Sequence, residues 1–192
     1  MEVLKQRIIK DGHVLEGNIL KIDSFLNHQI DPQLAFDIGK EFHSRFKGLK
    51  VDKILTIETS GIAFAVCAGY HFNVPVVFAK KYNGGNMSTD IYQSKVHSYT
   101  KNTDYVISVS KQFLHSNESI LIIDDFLAKG QAVLGLIDIA NQANANVTGV
   151  GVVVEKAFQL GGQTLRNLGI RLESLAVIES LSNKKIIFRE AF

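Results

Sequence analysis

Two adjacent carboxylates, Asp124 and Asp125, close an apolar run in the stretch ILIIDDFLAKGQA over residues 120–132. A near-continuous β-branched run reads as a strand covered on both faces of a parallel sheet. Acids at the carboxyl end of such a strand lie where open α/β sheets place their ligands. Behind them, Ala128, Lys129, Gly130, Gln131 and Ala132 lead into an apolar helical pattern. Their backbone N–H groups can form an anion site at a helix amino end. The combination suits a ribose held by carboxylates and a phosphate held by amides. The competing reading is plainer: Asp is a common helix N-cap, and a capped helix after a strand needs no ligand.

Other residues extend the same chemistry. Thr56–Gly61 reads TIETSG at the end of an earlier apolar strand, with Thr59 and Ser60 ahead of a helix. That loop suits a second anion, or a simple strand-to-helix turn with a hydroxyl cap. Lys80 and Lys81 close another strand on the same side of the sheet; alone, a lysine pair is a solvated surface feature. Lys156 follows the apolar run 147–154, and Phe158 comes two residues later on the same face. The alternative for Lys156 is a snorkelling surface lysine. Packing accounts for Leu20 and an Asx turn for Asn27.

The positioning elements are legible as alternating strands and helices. Asp31-Pro32 is an N-cap followed by Pro at the first helical position. Leu34, Ile38, Phe42 and Phe46 continue as a core-facing stripe through Lys47. Strands are expected at 53–57, 74–79, 120–125, 147–154, 172–181 and 186–188, and helices at 62–72, 133–145 and briefly within 160–169. Residues 81–89 carry Gly84 and Gly85 and read as a loop, and 91–99 with 105–111 as an antiparallel ribbon turning at 101–103. Such alternation predicts an α/β fold with a mostly parallel central sheet and right-handed crossovers. The first thirty residues fit it poorly and are expected to form an appendage over one end of the sheet.

Composition narrows the class. A chain of 192 residues is long enough for a substantial core and short for two domains. At 46% hydrophobic, 21% charged and a formal charge of +2, it is an ordinary globular chain with no charge argument for nucleic acid. No apolar run approaches the ~20 residues that span a bilayer. The start, MEVLKQRIIKDG, lacks the apolar core and cleavage site of a secretory signal. Cys67 is the lone cysteine, so an intramolecular disulfide is impossible, and a cytoplasmic location is expected.

The 120–132 string resembles the motif by which type I phosphoribosyltransferases bind phosphoribosyl pyrophosphate (PRPP): a hydrophobic strand, two acids and a loop ending Thr-Gly-x-Thr. Both acids and Gly130 match, whereas Lys129 and Ala132 replace the usual hydroxyls. Backbone donors survive that change, and Lys129 can serve as a point charge. The resemblance implies a single phosphoribosyltransferase domain over 1–192, with residues 1–30 mostly a hood and 81–111 a flexible loop region. It implies ribose contacts at Asp124 and Asp125, and phosphate contacts across Ala128–Ala132. Pyrophosphate contacts at Thr59, Ser60, Lys80 and Lys81, and loop residues Lys95 and Tyr99 closing over the site, follow from it as well. The family's pyrophosphate loop often holds a cis bond, here Glu58–Thr59, and adenine-type relatives carry Arg where this chain has Ser60.

Base choice also follows from resemblance. Oxopurine-specific relatives place a lysine where this chain has Lys156, and Phe158 would stack on the purine. The string GHVLEGNILKIDSFLNHQIDP over 12–32 is similar to the hood of the bacterial xanthine phosphoribosyltransferases, which implies xanthine contacts from Leu20 and Asn27. The expected enzyme is thus a pentosyltransferase of purine salvage that makes XMP and pyrophosphate from xanthine and PRPP. Mg²⁺ would be bound mainly through PRPP and pyrophosphate, with no direct protein ligand, and the chain would act as a homodimer. Three alternatives stay open: a PRPP-binding purine-responsive regulator, a transferase for another base such as guanine or hypoxanthine, and a Rossmann module. The last lacks a GxGxxG at any βα turn.

Overall fold

The computed structural model describes residues 1–82, 90–98, 103–182 and 185–189. The loop expected beyond Tyr82, the ribbon turn at 101–102 and Tyr99 lie outside the described residues. The chain opens with α1 (Glu2–Asp11), a hairpin of β1 (His13–Leu15) and β2 (Ile19–Lys21), and a π-helical turn over Asp23–Asn27. There follow α2 (Pro32–Arg45), β3 (Lys53–Ile57), α3 (Gly61–Phe72), β4 (Val76–Tyr82), β5 (Ile91–Ser98) and β6 (Thr103–Ser110). β7 (Ser119–Leu127), α4 (Gln131–Gln142), β8 (Asn146–Lys156), α5 (Gly161–Asn167), β9 (Leu172–Ser180) and β10 (Ile187–Phe188) complete it.

Among the described residues an eight-stranded sheet runs β10-β9-β8-β7-β3-β4-β6-β5. Its five central strands are parallel, and β10, β6 and β5 pair antiparallel at the edges. This is the expected α/β architecture. Alternate residues of β7 feed two apolar clusters, because successive side chains of a strand leave opposite faces. Leu121 and Ile123 join Ile38, Phe42 and Phe64 of α2 and α3. Ile120 and Ile122 join Leu136 and Ile139 of α4.

Helix α2 starts as the sequence reads: the Asp31 carboxylate accepts from the Leu34 N–H at 3.2 Å, with Pro32 at the first turn. The amino-terminal segment is more than an appendage. Leu4 and Ile8 of α1 and Leu20, Ile22, Phe25 and Leu26 of the segment that follows are buried in the α2-side cluster. The Met1 ammonium donates to the Leu175 carbonyl of β9 at 2.7 Å.

Three strands run further than expected because pairing carries through charged residues. β4 starts at Val76 and runs on through Lys80 and Lys81, which pair with Ser108 and Ile107 of β6. β7 runs past both acids, with Asp124 opposite Val152 and Leu127 opposite Glu155. β8 extends to Lys156, opposite Ile178.

Candidate active site

The chain leaves β3 toward β4 on one side and returns to pair β7 on the other. Connections therefore diverge between β3 and β7, which is the topological switch point where open α/β sheets bind ligands. Pairing between the two strands ends at Leu55 opposite Ile122. Asp124 and Asp125 thus lie beyond that pairing, beside the turn that follows β3.

That turn and the acids are in close contact. The Glu58–Thr59 peptide is cis. The Ser60 hydroxyl is near enough to Asp125 to favour its charged form. A methyl group on Gly61 would come within 2.4 Å of the Thr56 hydroxyl and 2.9 Å of Asp124 Oδ1, so only glycine fits at the start of α3. The Thr56 hydroxyl is buried there with no hydrogen-bond partner among the described residues.

Asp124 is 3% exposed, and its Oδ1 accepts from the Asp125 N–H at 2.9 Å. Burial pushes its carboxyl well above the ordinary range, and the neighbouring Asp125 charge adds to this. Burial raises Asp125 as well, opposed by its interactions with Asp124, the Phe126 backbone and Ser60. Two acids that resist ionisation together are poised for a partner that brings positive charge or hydroxyl donors.

The raised value has a consequence for folding. A carboxyl whose pKa is higher folded than unfolded contributes stability below its unfolded value. That contribution is lost as the pH rises through the folded value. Holding Asp124 in its buried site therefore costs the fold stability as the pH rises above the unfolded value of an ordinary carboxyl. Asp124→Asn, measured without substrate, is expected to melt a few degrees higher at pH 7, since ~1 kcal/mol shifts a chain of this size by about 2–4 °C. The difference should shrink toward pH 4. A lower melting temperature at pH 7 by calorimetry would contradict the raised value.

The loop after β7 forms the second wall. Gly130 has φ of +81° and begins the turn into α4. Residues Ala128–Val133, with Tyr105, Phe126 and Gln159, line a cavity of about 210 Å³ at the amino end of that helix. Burial raises the Tyr105 phenol, and the nearby Asp124 charge raises it further. Lys129 is exposed at the cavity's edge.

The pleat separates the lysine pair. Lys81 Nζ lies 5.5 Å from the Tyr105 ring centroid on the cavity side, and its N–H donates to Glu58 Oε1 at 2.6 Å. Lys80 Nζ instead lies 5.6 Å from the Phe78 ring. Consecutive strand residues leave opposite faces, so only Lys81 shares the cavity's face.

Lys156 ends β8 with its Nζ 5.1 Å from the Phe126 ring centroid, and burial pushes its ammonium pKa down. Phe158 is exposed in the short turn that follows. The remaining expected site residues are placed differently. Leu20 is 6% exposed and packs into the α2-side cluster. Asn27 is exposed at the end of the π-helical turn. Lys95 is ion-paired to Asp104 at 2.7 Å, a partner it shares with His97, so it is engaged across the ribbon.

Tyr105, Phe126 and Gln159 are among the lining residues that sequence reading missed. Phe126 had a usable signal, as the large aromatic directly after the acid pair. Tyr105 and Gln159 had none, because the fold alone brings the ribbon and the 157–160 turn to this wall.

Residues 26–174 match the family described as the phosphoribosyl transferase domain. The chain belongs to the phosphoribosyltransferase family. It is 54% identical over 98% of its length to the xanthine phosphoribosyltransferase of Clostridium novyi, all of which is covered. Identity to xanthine phosphoribosyltransferase 1 of Clostridium perfringens is 55%, covering 98% of this chain and 100% of that one. Among solved structures, the adenine phosphoribosyltransferase of Trypanosoma brucei, in complex with AMP, pyrophosphate and ribose-5-phosphate, superposes with a TM-score of 0.75 at 18% identity. It covers 91% of this chain and 78% of that one. The Saccharomyces cerevisiae adenine phosphoribosyltransferase gives 0.72 at 19%, covering 91% and 99%. At those identities the two structures speak to the fold alone, which is the family's α/β fold.

Proposed function

We infer that this chain is a pentosyltransferase of purine salvage that transfers the 5-phosphoribosyl group of PRPP to N9 of xanthine, giving XMP and pyrophosphate. The observation that carries the reading is the Asp124–Asp125 pair, Asp124 buried and Asp125 half-buried, at the β3/β7 switch point, flanked by the Ala128–Ala132 loop and by Lys156. Full-length identity above one half to xanthine phosphoribosyltransferases supports the choice of base.

The reaction forms a bond from N9 to the anomeric carbon and breaks the bond from that carbon to pyrophosphate, which leaves with the electron pair. Positive charge develops on the ribosyl ring. Asp124 and Asp125 accept from the ribose hydroxyls and place negative charge beneath that ring. Backbone N–H groups of Ala128, Lys129, Gly130, Gln131 and Ala132 hold the 5-phosphate. Thr59, Ser60 and Lys81 face the pyrophosphate, with Lys80 on the opposite face of the strand as a weaker candidate. Lys156 donates to the purine 6-oxygen, Phe126 and Phe158 supply apolar contact, and Leu20 and Asn27 belong to the hood above. Xanthine ionises near neutral pH, so its N9 needs no strong protein base.

Among the described residues no three of His, Cys, Asp or Glu stand close enough to hold a metal. Mg²⁺ bound through PRPP would neutralise the departing pyrophosphate.

The chain acts in the cytoplasm on this reading, where PRPP is made. The lone cysteine agrees with it, and among the described residues no helix is long and apolar enough to cross a membrane. A homodimer completes the reading. Phe36, Val66, Phe78 and Tyr70, the last 73% exposed, present an apolar patch around α3, with the Phe36 and Tyr70 rings edge-on at 5.8 Å. Contiguous apolar surface of this kind marks an interface, and a two-fold pair is the commonest use. Sedimentation should show a dimer that Val66→Glu with Tyr70→Glu converts to monomer. A fully active monomer in the unaltered chain would rule the dimer out.

The functional test is release of pyrophosphate. With PRPP and Mg²⁺ present, adding xanthine should release pyrophosphate in step with XMP. A regulator that only binds PRPP would release none.

A further inference from the structure

Glu155 is the least expected charge in the sheet. It precedes Lys156 in β8, pairs across the strands with Leu127, and is 1% exposed. Arg166 of α5 clamps it bidentately, Nη1 to Oε1 and Nη2 to Oε2, both at 2.8 Å. The Ser174 hydroxyl donates to Oε2 at 2.5 Å. Burial alone would push the Glu155 carboxyl up, and Arg166 with Ser174 outweighs it and holds the group below the ordinary range.

The two residues that open α5 lie between this ion pair and the phosphate loop. A methyl group on Gly162 would come within 1.9 Å of Glu155 Oε1 and 2.6 Å of Arg166 Nη1. One on Gly161 would come within 2.3 Å of the Ala128 carbonyl oxygen and 2.8 Å of the Gly130 nitrogen. The Gly161 N–H donates to that Ala128 carbonyl at 3.0 Å. The segment is thus packed without slack from Arg166 to the Ala128–Gly130 backbone. With the Arg166 side chain 42% exposed and Glu155 buried, the pair contributes little net stability, whereas a bidentate guanidinium fixes orientation.

We propose that Arg166 is a positioning residue for the phosphoribosyl group. By clamping Glu155 it seats Gly161 on the Ala128–Gly130 backbone and holds that loop's N–H groups in the geometry a 5-phosphate requires. This rests on the functional reading above. It assigns Arg166 no contact with substrate.

The test is steady-state kinetics with PRPP and xanthine varied separately. Arg166→Met alone leaves Glu155 charged and buried, so the paired variant Glu155→Gln with Arg166→Met is used to keep the fold. It should raise KM for PRPP about tenfold, as small misplacements of a binding group do, with kcat and the KM for xanthine changed less than about twofold. Arg166→Lys, with one donor group in place of the fork, should fall between. Gly161→Ala, which presses on the same loop from the other side, should raise KM for PRPP in the same selective way. Equal losses for both substrates, or a fall in kcat at unchanged KM for PRPP, would mean a purely structural ion pair and overturn the proposal. Activity of the unaltered chain separates the two levels: if it is active and the variants keep its PRPP KM, only this inference fails. If it makes no XMP, the functional reading fails and this inference with it.

Discussion

Asp125→Asn is expected to lower kcat about a hundredfold to a thousandfold while the chain stays folded, the scale seen when one preorganised electrostatic group is removed. Asparagine keeps the size and the hydrogen-bond acceptor of the side chain and removes the negative charge beneath the ribosyl ring. The loss should appear in kcat rather than in KM for PRPP, because the charge matters most when the ring is cationic. Asp124→Asn combined with it should cost less than the product of the two single losses, since both act on one sugar. Normal turnover in the folded double variant would remove the acids from the mechanism. The pH profile carries an independent sign. Burial raises both carboxyls, and the working form is ionised. Activity should therefore fall with acid at a higher pH than an ordinary carboxylate would give.

Lys156→Leu is expected to change base choice. A lysine donates and cannot accept, so it favours a purine with oxygen at position 6 over one with an amino group. The half-buried ammonium is depressed by desolvation, and a xanthine anion offsets that penalty in a way neutral guanine and hypoxanthine do not. Leucine removes the charge and leaves the oxo group unpaired, at roughly 1–3 kcal/mol. Xanthine should lose at least about tenfold in kcat/KM, as each 1.4 kcal/mol is a factor of ten, and rejection of adenine should weaken. Unchanged use of xanthine would make Lys156 a surface lysine beside Phe126.

The elements that position the site were legible because their signals are local. The capped start at Asp31-Pro32, the apolar run before Asp124 and the alternation of strand and helix each follow from a few neighbouring residues. The acid pair was legible for the same reason. What the sequence hid depends on pairing between distant segments. β4 and β8 continue through lysines because β6 and β9 offer partners. The pleat, visible only once β4 is known to reach Tyr82, sends Lys80 and Lys81 to opposite faces. Arg166 carried no motif at all, and its partner Glu155 looks in the sequence like an ordinary strand-end charge.

The most direct test of the central claim is a competition. Xanthine, guanine, hypoxanthine and adenine at equal concentration are mixed with limiting PRPP, Mg²⁺ and the chain, and the mononucleotides formed are resolved by mass. Product ratios then report the ratios of kcat/KM. XMP should dominate, with AMP the least abundant. A mixture led by AMP, or no mononucleotide from any base, would contradict the account.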